Sequence, residues 1–473
     1  MRPGFCMSEG NNMEDKNIRM ARAVAEAAAR EGGRCYYVGG CVRDRLLGRV
    51  NKDIDIEVHG IPVETLARIL DSLGERLNIG ASFGIMGLRH YELDIAMPRS
   101  ETATGRGHKD FAVLVDPFLG PEKAARRRDF TMNALMEDVL TGEILDFFGG
   151  REDMERGILR HVDEQSFGED PLRVLRGAQF AARFGLTIAE ETRALSAKMD
   201  LAALPGERVM GELEKALLKA QTPSVFFEAL RQMGQLSLWF PELEALIGLR
   251  QNPAFHPEGD VWRHSMQVLD EAAILRTEAE QPLWFLLSAL CHDLGKAVTT
   301  EEINGVLRAF NHEKLGLPLV RAFLQRLTRE TKLTEYVLNM TELHMRPNML
   351  VSSGAGVKSY MKMADLSVCP GDLLLLAEAD YMGCLGPAGD REAMQRAYVP
   401  TRKRLREMLA LYEARMGEPY LMGRDLIEAG FAPGPQFAAV LEETHKLRLA
   451  GRPKQEQMKY ALAVLRKEKD DTQ

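Results

Sequence analysis

The stretch "VGGCVRDRLLGRVNKDIDIEV", residues 38 to 58, limits most tightly what this chain can fold into. In "DIDIEV" apolar and acidic residues alternate. The period of two in a strand puts Ile54, Ile56 and Val58 on one face and Asp53, Asp55 and Glu57 on the other. The apolar face needs a core, and three acids side by side need a cation. Carboxylates at i and i+2 converge on hard ions such as Mg²⁺, and two such ions about 4 Å apart clamp the oxygens of an in-line phosphoryl displacement. Upstream, Gly39 and Gly40 let the backbone come close to a ligand, and "CVRDRLLG" reads as a helix opening towards an anion. The segment therefore predicts a metal-dependent triphosphate site, with an exposed edge strand of solvated acids as the plain alternative. A second alternating run, "YELDIAM", sets Asp94 opposite Leu93 and Ile95 and offers a third acid.

The 473 residues allow roughly three domains of about 100 to 200 residues each. Apolar runs such as "LWFLLSALC" fall short of the roughly 20 residues of a membrane span, and the first residues lack the apolar core of a signal peptide, so the expectation is a cytoplasmic chain. Met7 is an alternative start. Six cysteines without a CxxC pair read as free thiols. A net charge of −8 opposes sequence-blind nucleic-acid binding and leaves room for a local basic surface. By pattern, residues 1–16 read as a loose tail and 17–150 as an α+β or α/β head. After "DFFGGREDMERG" the strand signals stop, giving helical sections over 151–245, 246–395 and 396–473.

Two further head motifs carry chemistry. In "RRRDFTMNAL" the arginines suit phosphate oxygens and the acid suits a ribose hydroxyl; an exposed basic turn is the plain alternative. In "EDPLR", Pro171 suits a first helical turn and sets Asp170 and Arg173 three apart on one face. A carboxylate beside a guanidinium can read the Watson–Crick edge of cytosine or adenine, or be a simple surface pair. The histidines fall mostly in the third section: His264 in "RHSMQVL", His292 and Asp293 in "LCHDLGK", His312 in "FNHEKLG", His344 in "LHMRP", with Asp380 in "AEADYMG". Neutral imidazoles with carboxylates suit divalent transition metals that activate water.

In order and spacing, "VGGCVRD…KDIDIEV", "RRRDFTMNAL" and "EDPLRVLRGAQFAARFGL" resemble the bacterial tRNA nucleotidyltransferases (CCA-adding enzymes) and their poly(A) polymerase relatives, across residues 34–245. The resemblance implies a multidomain α+β protein, with a polymerase β-like mixed-sheet head, an all-α neck and body that selects nucleotides and binds RNA, and an all-α HD domain. It makes Asp53 and Asp55 the Mg²⁺ ligands, Gly39 and Gly40 the triphosphate loop, and Arg43 and Asp44 its supports. Arg127 and Arg128 would hold the nucleotide and Asp129 its sugar, with Asn133 nearby. Glu169, Asp170 and Arg173 would form the protein template that chooses CTP or ATP, with Arg176 on phosphate, and "ERVMGELEKAL" would give structural support. The implied reaction is attack of a tRNA 3′-hydroxyl on the α-phosphate, with Lys52 and Arg43 as neutralising charges.

The pattern H…HD…H…H…D resembles the HD phosphohydrolase superfamily. It implies a Ni²⁺ or Mn²⁺ centre on His264, His292, Asp293 and Asp380, with His312 and His344 as further candidates, acting on 2′,3′-cyclic or 2′-phosphorylated ends. Three readings compete: full CCA addition, a poly(A), CC-only or A-only polymerase, and a tRNA- or nucleotide-binding protein with vestigial metal sites. "RSETATGRGHKDFAV" looks like the flexible segment of full CCA addition, and the intact carboxylate and histidine sets oppose the last reading. A monomer or homodimer is expected.

Overall fold

The computed structural model describes residues 8–49, 53–80, 85–103, 111–386 and 388–470. It divides into two compact units, Met1–Ala216 with Val225–Leu238, and Leu217–Ser224 with Trp239–Gln473.

The first unit is built on a seven-stranded sheet ordered β3-β4-β5-β2-β1-β8-β9. Its strands are β1 (Arg34–Val38), β2 (Ile54–His59), β3 (Arg76–Gly80), β4 (Ile85–Leu88), β5 (Leu93–Ala96), β8 (Met136–Asp138) and β9 (Ile144–Leu145), while β6 (Arg99–Ala103) and β7 (Phe111–Val115) pair as a separate hairpin. The acidic strand β2 is central. It runs antiparallel to β1 and parallel to β5, and the second register sets Asp55 beside Asp94. Helices α1 (Ser8–Arg30) and α3 (Val63–Leu73) cover one face, where Val24, Ala28, Leu66 and Leu70 close over Ile54, Ile56 and Val58. Leu66, Ile69, Leu70 and Leu73 of α3 follow the i, i+3, i+4, i+7 spacing of a core-facing helix. The other face holds Tyr36, Val38 and Met136 against Ala125 of α4 (Pro121–Arg126). The acids of β2 point to this second side, where α4 delivers the arginines that follow it.

Beyond the sheet come α5 (Gly150–Glu155), α6 (Glu164–Glu169) and α7 (Leu172–Phe184), which Gly185 ends in the left-handed conformation at φ 68°. Between them α6 and α7 carry the "EDPLR" motif into the head. The second unit is mostly helical. Val261–Leu275 packs on Pro370–Gly383, and both pack on Pro282–Cys291. Three final helices, Gly423–Glu428, Pro435–Leu449 and Lys454–Asp470, share an apolar cluster of Leu421, Leu426, Phe437, Val440, Ala461 and Leu465.

Three expectations are corrected. The tail expected over 1–16 is helical from Ser8, because α1 propagates N-terminally from the segment that packs on the sheet. Two strand pairs lie in sections that read as wholly helical: Ile158–Leu159 beside Thr187–Ile188, and the hairpin Thr300–Ile303 with Val306–Ala309. The first is too short to show an alternation. The hairpin turns on Asn304-Gly305 at φ 53° and 77°, the two left-handed residues of a tight hairpin turn. Lys52 and positions 104–110 of the expected flexible loop lie outside the described residues; the flanks of that loop are β6 and β7. Among the described residues no helix is long and apolar enough to cross a membrane, and Cys35, Cys41, Cys291, Cys369 and Cys384 are free.

Candidate functional site

Four side chains on one face of β2 run from water into the protein. Asp53 is exposed, Asp55 half-buried, and Glu57 and His59 are buried. Asp55 keeps its proton up to about 6, because burial and the neighbouring Asp94 and Asp53 disfavour its charge while Arg128 only partly compensates. An acid cluster under that repulsion fits a divalent cation. Gly39, at φ 70°, brings the β1–α2 turn onto the same spot, α2 being Gly40–Leu46. A Cβ there would lie 3.2 Å from Arg128 Nη1 and 3.9 Å from Asp55 Oδ2, so the glycine leaves the space between cation and carboxylate open.

Glu57 departs from the metal-ligand geometry that its place in the alternation predicts. Its carboxylate is 1% exposed and accepts from His59 Nε2 at 2.9 Å, with Arg127 Nη2 at 3.5 Å and Arg128 Nη2 at 3.7 Å. Burial alone would raise its pKa, yet the His59 hydrogen bond and the two arginines hold it down at about 2. Glu57 is the anionic post that aims Arg127 and Arg128.

The remaining polar residues form one relay, buried at Arg43, Asp44, Asn133 and Asp129 and partly exposed at Arg176. Arg43 donates to Asp44 Oδ1 at 2.8 Å and to Asn133 Oδ1 at 2.7 Å, and its guanidinium lies 4.6 Å from the Phe184 ring centroid. Its guanidinium is thus engaged inside the protein by Asp44, Asn133 and Phe184. Asn133 donates to Asp129 Oδ1 at 2.9 Å, and Arg176 donates to Asp129 Oδ2 at 2.8 Å from Nε and 2.6 Å from Nη2. Burial opposes ionisation of Asp129, but Arg176 and Asn133 hold its carboxyl below the usual carboxylate range.

Asp170 and Arg173 take separate partners. Asp170 Oδ1 accepts from the Leu172 amide at 3.0 Å and its Oδ2 lies 3.5 Å from Arg208 Nη2. Arg173 donates to the carbonyls of Ser166 and Arg127, each at 2.7 Å. Arg173 thereby ties "EDPLR" to "RRRD". Glu169 ends α6 beside them. Arg208, in the stretch read only as structural support, is a residue that the sequence analysis missed.

In the second unit all six expected residues meet. His264 Nε2 lies 3.1 Å from Asp380 Oδ1 and 3.3 Å from His292 Nε2. His312 Nε2 lies 3.1 Å from Asp293 Oδ1 and 3.4 Å from His344 Nε2. Asp293 Oδ2 stands 3.3 Å from His292 Nε2, so this one carboxylate joins two donor sets, His264–His292–Asp380 and Asp293–His312–His344. Every ring is fixed from behind. Nδ1 of His292, His312 and His344 faces the carbonyls of Ala289, Ala309 and Thr341 at 2.7, 2.9 and 2.7 Å, and Nδ1 of His264 faces Glu258 Oε1 at 2.9 Å. Those contacts set the tautomers so that all four Nε2 atoms converge, as metal ligation requires.

Charge is divided within the centre. Burial opposes protonation of His264, but Asp380, Cys384 and Glu258 raise its pKa, whereas burial and His292 push His344 down to about 3. Lys296 Nζ reaches Asp293 Oδ2 at 2.6 Å. Gly295 and Gly316 press together: a Cβ on Gly295 would collide with the His312 carbonyl oxygen, and one on Gly316 would sit 2.5 Å from Gly295 Cα. Glu258 and His256, 2.8 Å apart behind His264, were not singled out from the sequence.

The chain matches family models for the Poly A polymerase head domain over residues 35–160, the probable RNA and SrmB-binding site of polymerase A over 185–247, and the HD domain over 261–381. It is 39% identical over 317 residues to a multifunctional CCA protein of Pasteurella multocida (strain Pm70), covering 65% of this chain and 73% of that protein. Its fold is similar to that of a CCA-adding enzyme solved with CTP (TM-score 0.62, 20% identity, 96% of this chain and 98% of that one). A Thermotoga maritima CCA-adding enzyme complexed with tRNA gives a TM-score of 0.59 at 20% identity, with the same two coverages. On the strength of the curated relative and the three matched models, the chain belongs to the family of multifunctional CCA proteins, in which a poly(A) polymerase-type head is joined to an HD domain.

Proposed function

We propose that the head completes the CCA end of tRNA by adding CMP and AMP from CTP and ATP without a nucleic-acid template. The observation that carries this reading is the meeting of Gly39, Arg128 and Asp55 beside Asp94, an open space between a phosphate-seeking cation and an acid cluster. Mg²⁺ bound at Asp53 and Asp55 would supply Lewis-acid stabilisation of the attacking and leaving oxygens. The tRNA 3′-hydroxyl attacks the α-phosphorus, a phosphodiester forms, and the bond to pyrophosphate breaks. Arg127 and Arg128, aimed by Glu57, hold the triphosphate. Gly39 and Gly40 let the backbone approach it, over the Arg43–Asp44 support. Asp129, steadied by Arg176 and Asn133, faces the sugar.

Base choice falls to Glu169, Asp170 and Arg173. Arg173 has N–H groups beyond those given to Ser166 and Arg127, and Asp170 supplies acceptors. A cytoplasmic enzyme is part of this reading. The test is a tRNA transcript lacking its CCA end, incubated with Mg²⁺ and labelled nucleotides and sized on a denaturing gel. Two residues with CTP alone and three with CTP and ATP together are expected. A long A tail, or a stop after CC with both nucleotides present, overturns the full activity in favour of its rivals.

A second activity is carried by the convergence of four imidazoles and two carboxylates in the second unit. Ni²⁺ or Mn²⁺ held there would make a water nucleophilic enough to hydrolyse 2′,3′-cyclic or 2′-phosphorylated ends. Asp293 sits between both donor sets, and Lys296 keeps its carboxylate oriented. Release of 2′- or 3′-AMP from 2′,3′-cyclic AMP in the presence of Ni²⁺ or Mn²⁺, lost on chelation, is the expected result. No turnover with any divalent ion counts against it.

A further inference from the structure

Beside the histidine centre lies a cavity of about 480 Å³, with His312 and Lys296 in its lining. One wall is the loop that carries Arg250 and Phe255. The other is the second strand of the Asn304-Gly305 hairpin, which carries Arg308 and runs on to Phe310. The charged groups of the lining, apart from His256 and His312, are Arg250, Lys296 and Arg308; no carboxylate is among them. Phe255 is 72% exposed and Phe310 55%, and the Arg308 guanidinium lies 5.4 Å from the Phe310 ring centroid. Single apolar side chains at a surface need no explanation, but two aromatic rings sharing one cationic cavity with a ligand centre do. A ligand with a flat π face and negative charge would satisfy both, and a nucleotide has the two together. The volume lies within the range of small-molecule sites.

Resting on the hydrolytic reading of the centre, we propose that this cavity is a nucleotide-end pocket. Phe255 and Phe310 stack the terminal base, and Arg250 and Arg308 pair with those oxygens of the phosphate that do not face the histidines. The centre therefore prefers a phosphate borne on a nucleoside to a bare phosphomonoester. The hairpin supplies half of this selectivity.

The test uses the full chain loaded with Mn²⁺ and challenged with 2′-AMP and with glycerol 2-phosphate, which has no ring to stack, affinity being read as KM for a ligand that is turned over and by calorimetry for one that is not. Wild-type protein should bind 2′-AMP about tenfold more tightly, the scale of one stacked base. Phe310→Ala and Phe255→Ala should narrow that gap while leaving glycerol 2-phosphate unchanged, and Phe310→Tyr should keep it. Any 2′-AMP bound at the head persists in all variants and is subtracted. Equal affinity for the two ligands in wild-type protein overturns the pocket, as does a Phe310→Ala variant that loses both ligands alike. Preferential binding of 2′-AMP without hydrolysis of any phosphoester sinks the hydrolytic reading and upholds the pocket. Hydrolysis of both ligands with one KM does the reverse.

Discussion

In the head, Asp55 faces Asp94 across two parallel strands and is pushed up to about 6; in the second unit, four imidazoles are each held from behind by a carbonyl or by Glu258. The acids of the first site are brought together by strand register alone, and their mutual repulsion is left for a ligand to relieve. The rings of the second are oriented before any metal arrives. A site that must be completed by its substrate complex suits a reaction in which the metal travels with a triphosphate. A preformed cage suits an ion that stays.

The widest break in this comparison is between the two chemistries themselves. Asp53→Ala or Asp55→Ala should reduce both CMP and AMP incorporation by roughly a thousandfold, about 4 kcal/mol in the barrier, while hydrolysis of 2′,3′-cyclic AMP persists. The double variant His292→Ala with Asp293→Ala should show the opposite pattern in the same two assays. Loss of tRNA extension in the double variant would tie the two sites together.

Preorganisation of the cage is tested by Glu258→Gln, which keeps the shape but weakens the grip on His264 Nδ1. Mn²⁺ affinity, measured by calorimetry, should fall about 10- to 100-fold with no change in tRNA extension. An unchanged affinity would show that the carbonyl-held rings suffice.

At the head, Arg173→Ala should blur the choice among CTP, ATP and the wrong nucleotides by about 1–3 kcal/mol, read from the ratio of kcat/KM values. An equal slowing of all nucleotides would make Arg173 a brace between Ser166 and Arg127 only.

The smallest effect concerns the unrelieved repulsion. In metal-free protein the folded pKa of Asp55, about 6, lies above its ordinary value of 3.8, so the folded state binds more protons between those limits. Stability should fall as pH rises from 4 to 6, and the full cost of the charge is present above 6. Asp55→Asn should recover about 1–2 kcal/mol at pH 7 in chemical denaturation with EDTA and flatten that slope. Saturating Mg²⁺ should shrink the difference from wild type.

Much of this was legible in the sequence because it was local. The alternation of "DIDIEV" gave the faces of β2, and the six candidate metal-binding residues of the histidine centre each stood in or at the end of a helical segment. Alternation gives a face but not a depth, which is why Glu57 read as a cleft acid although it is the buried partner of Arg127 and Arg128. Arg208 reaches Asp170 across 38 positions, and Glu258 acts through a loop, so neither carries a local signature. The Asn304-Gly305 hairpin was different. Its turn chemistry was present in the sequence and was outweighed by the helical pattern on both sides.

The approach of Gly295 to Gly316 bears on how the fate of such a centre is to be traced among descendants of one ancestor. The close packing of these two segments depends on the lack of a side chain, because a methyl group at either position would press on the backbone of the other segment and on the His312 carbonyl oxygen. An alanine there keeps all four histidines and both aspartates in the sequence, while the backbone beside His312 has to shift. A count of the histidines and aspartates alone would miss such a change; the two glycines register it.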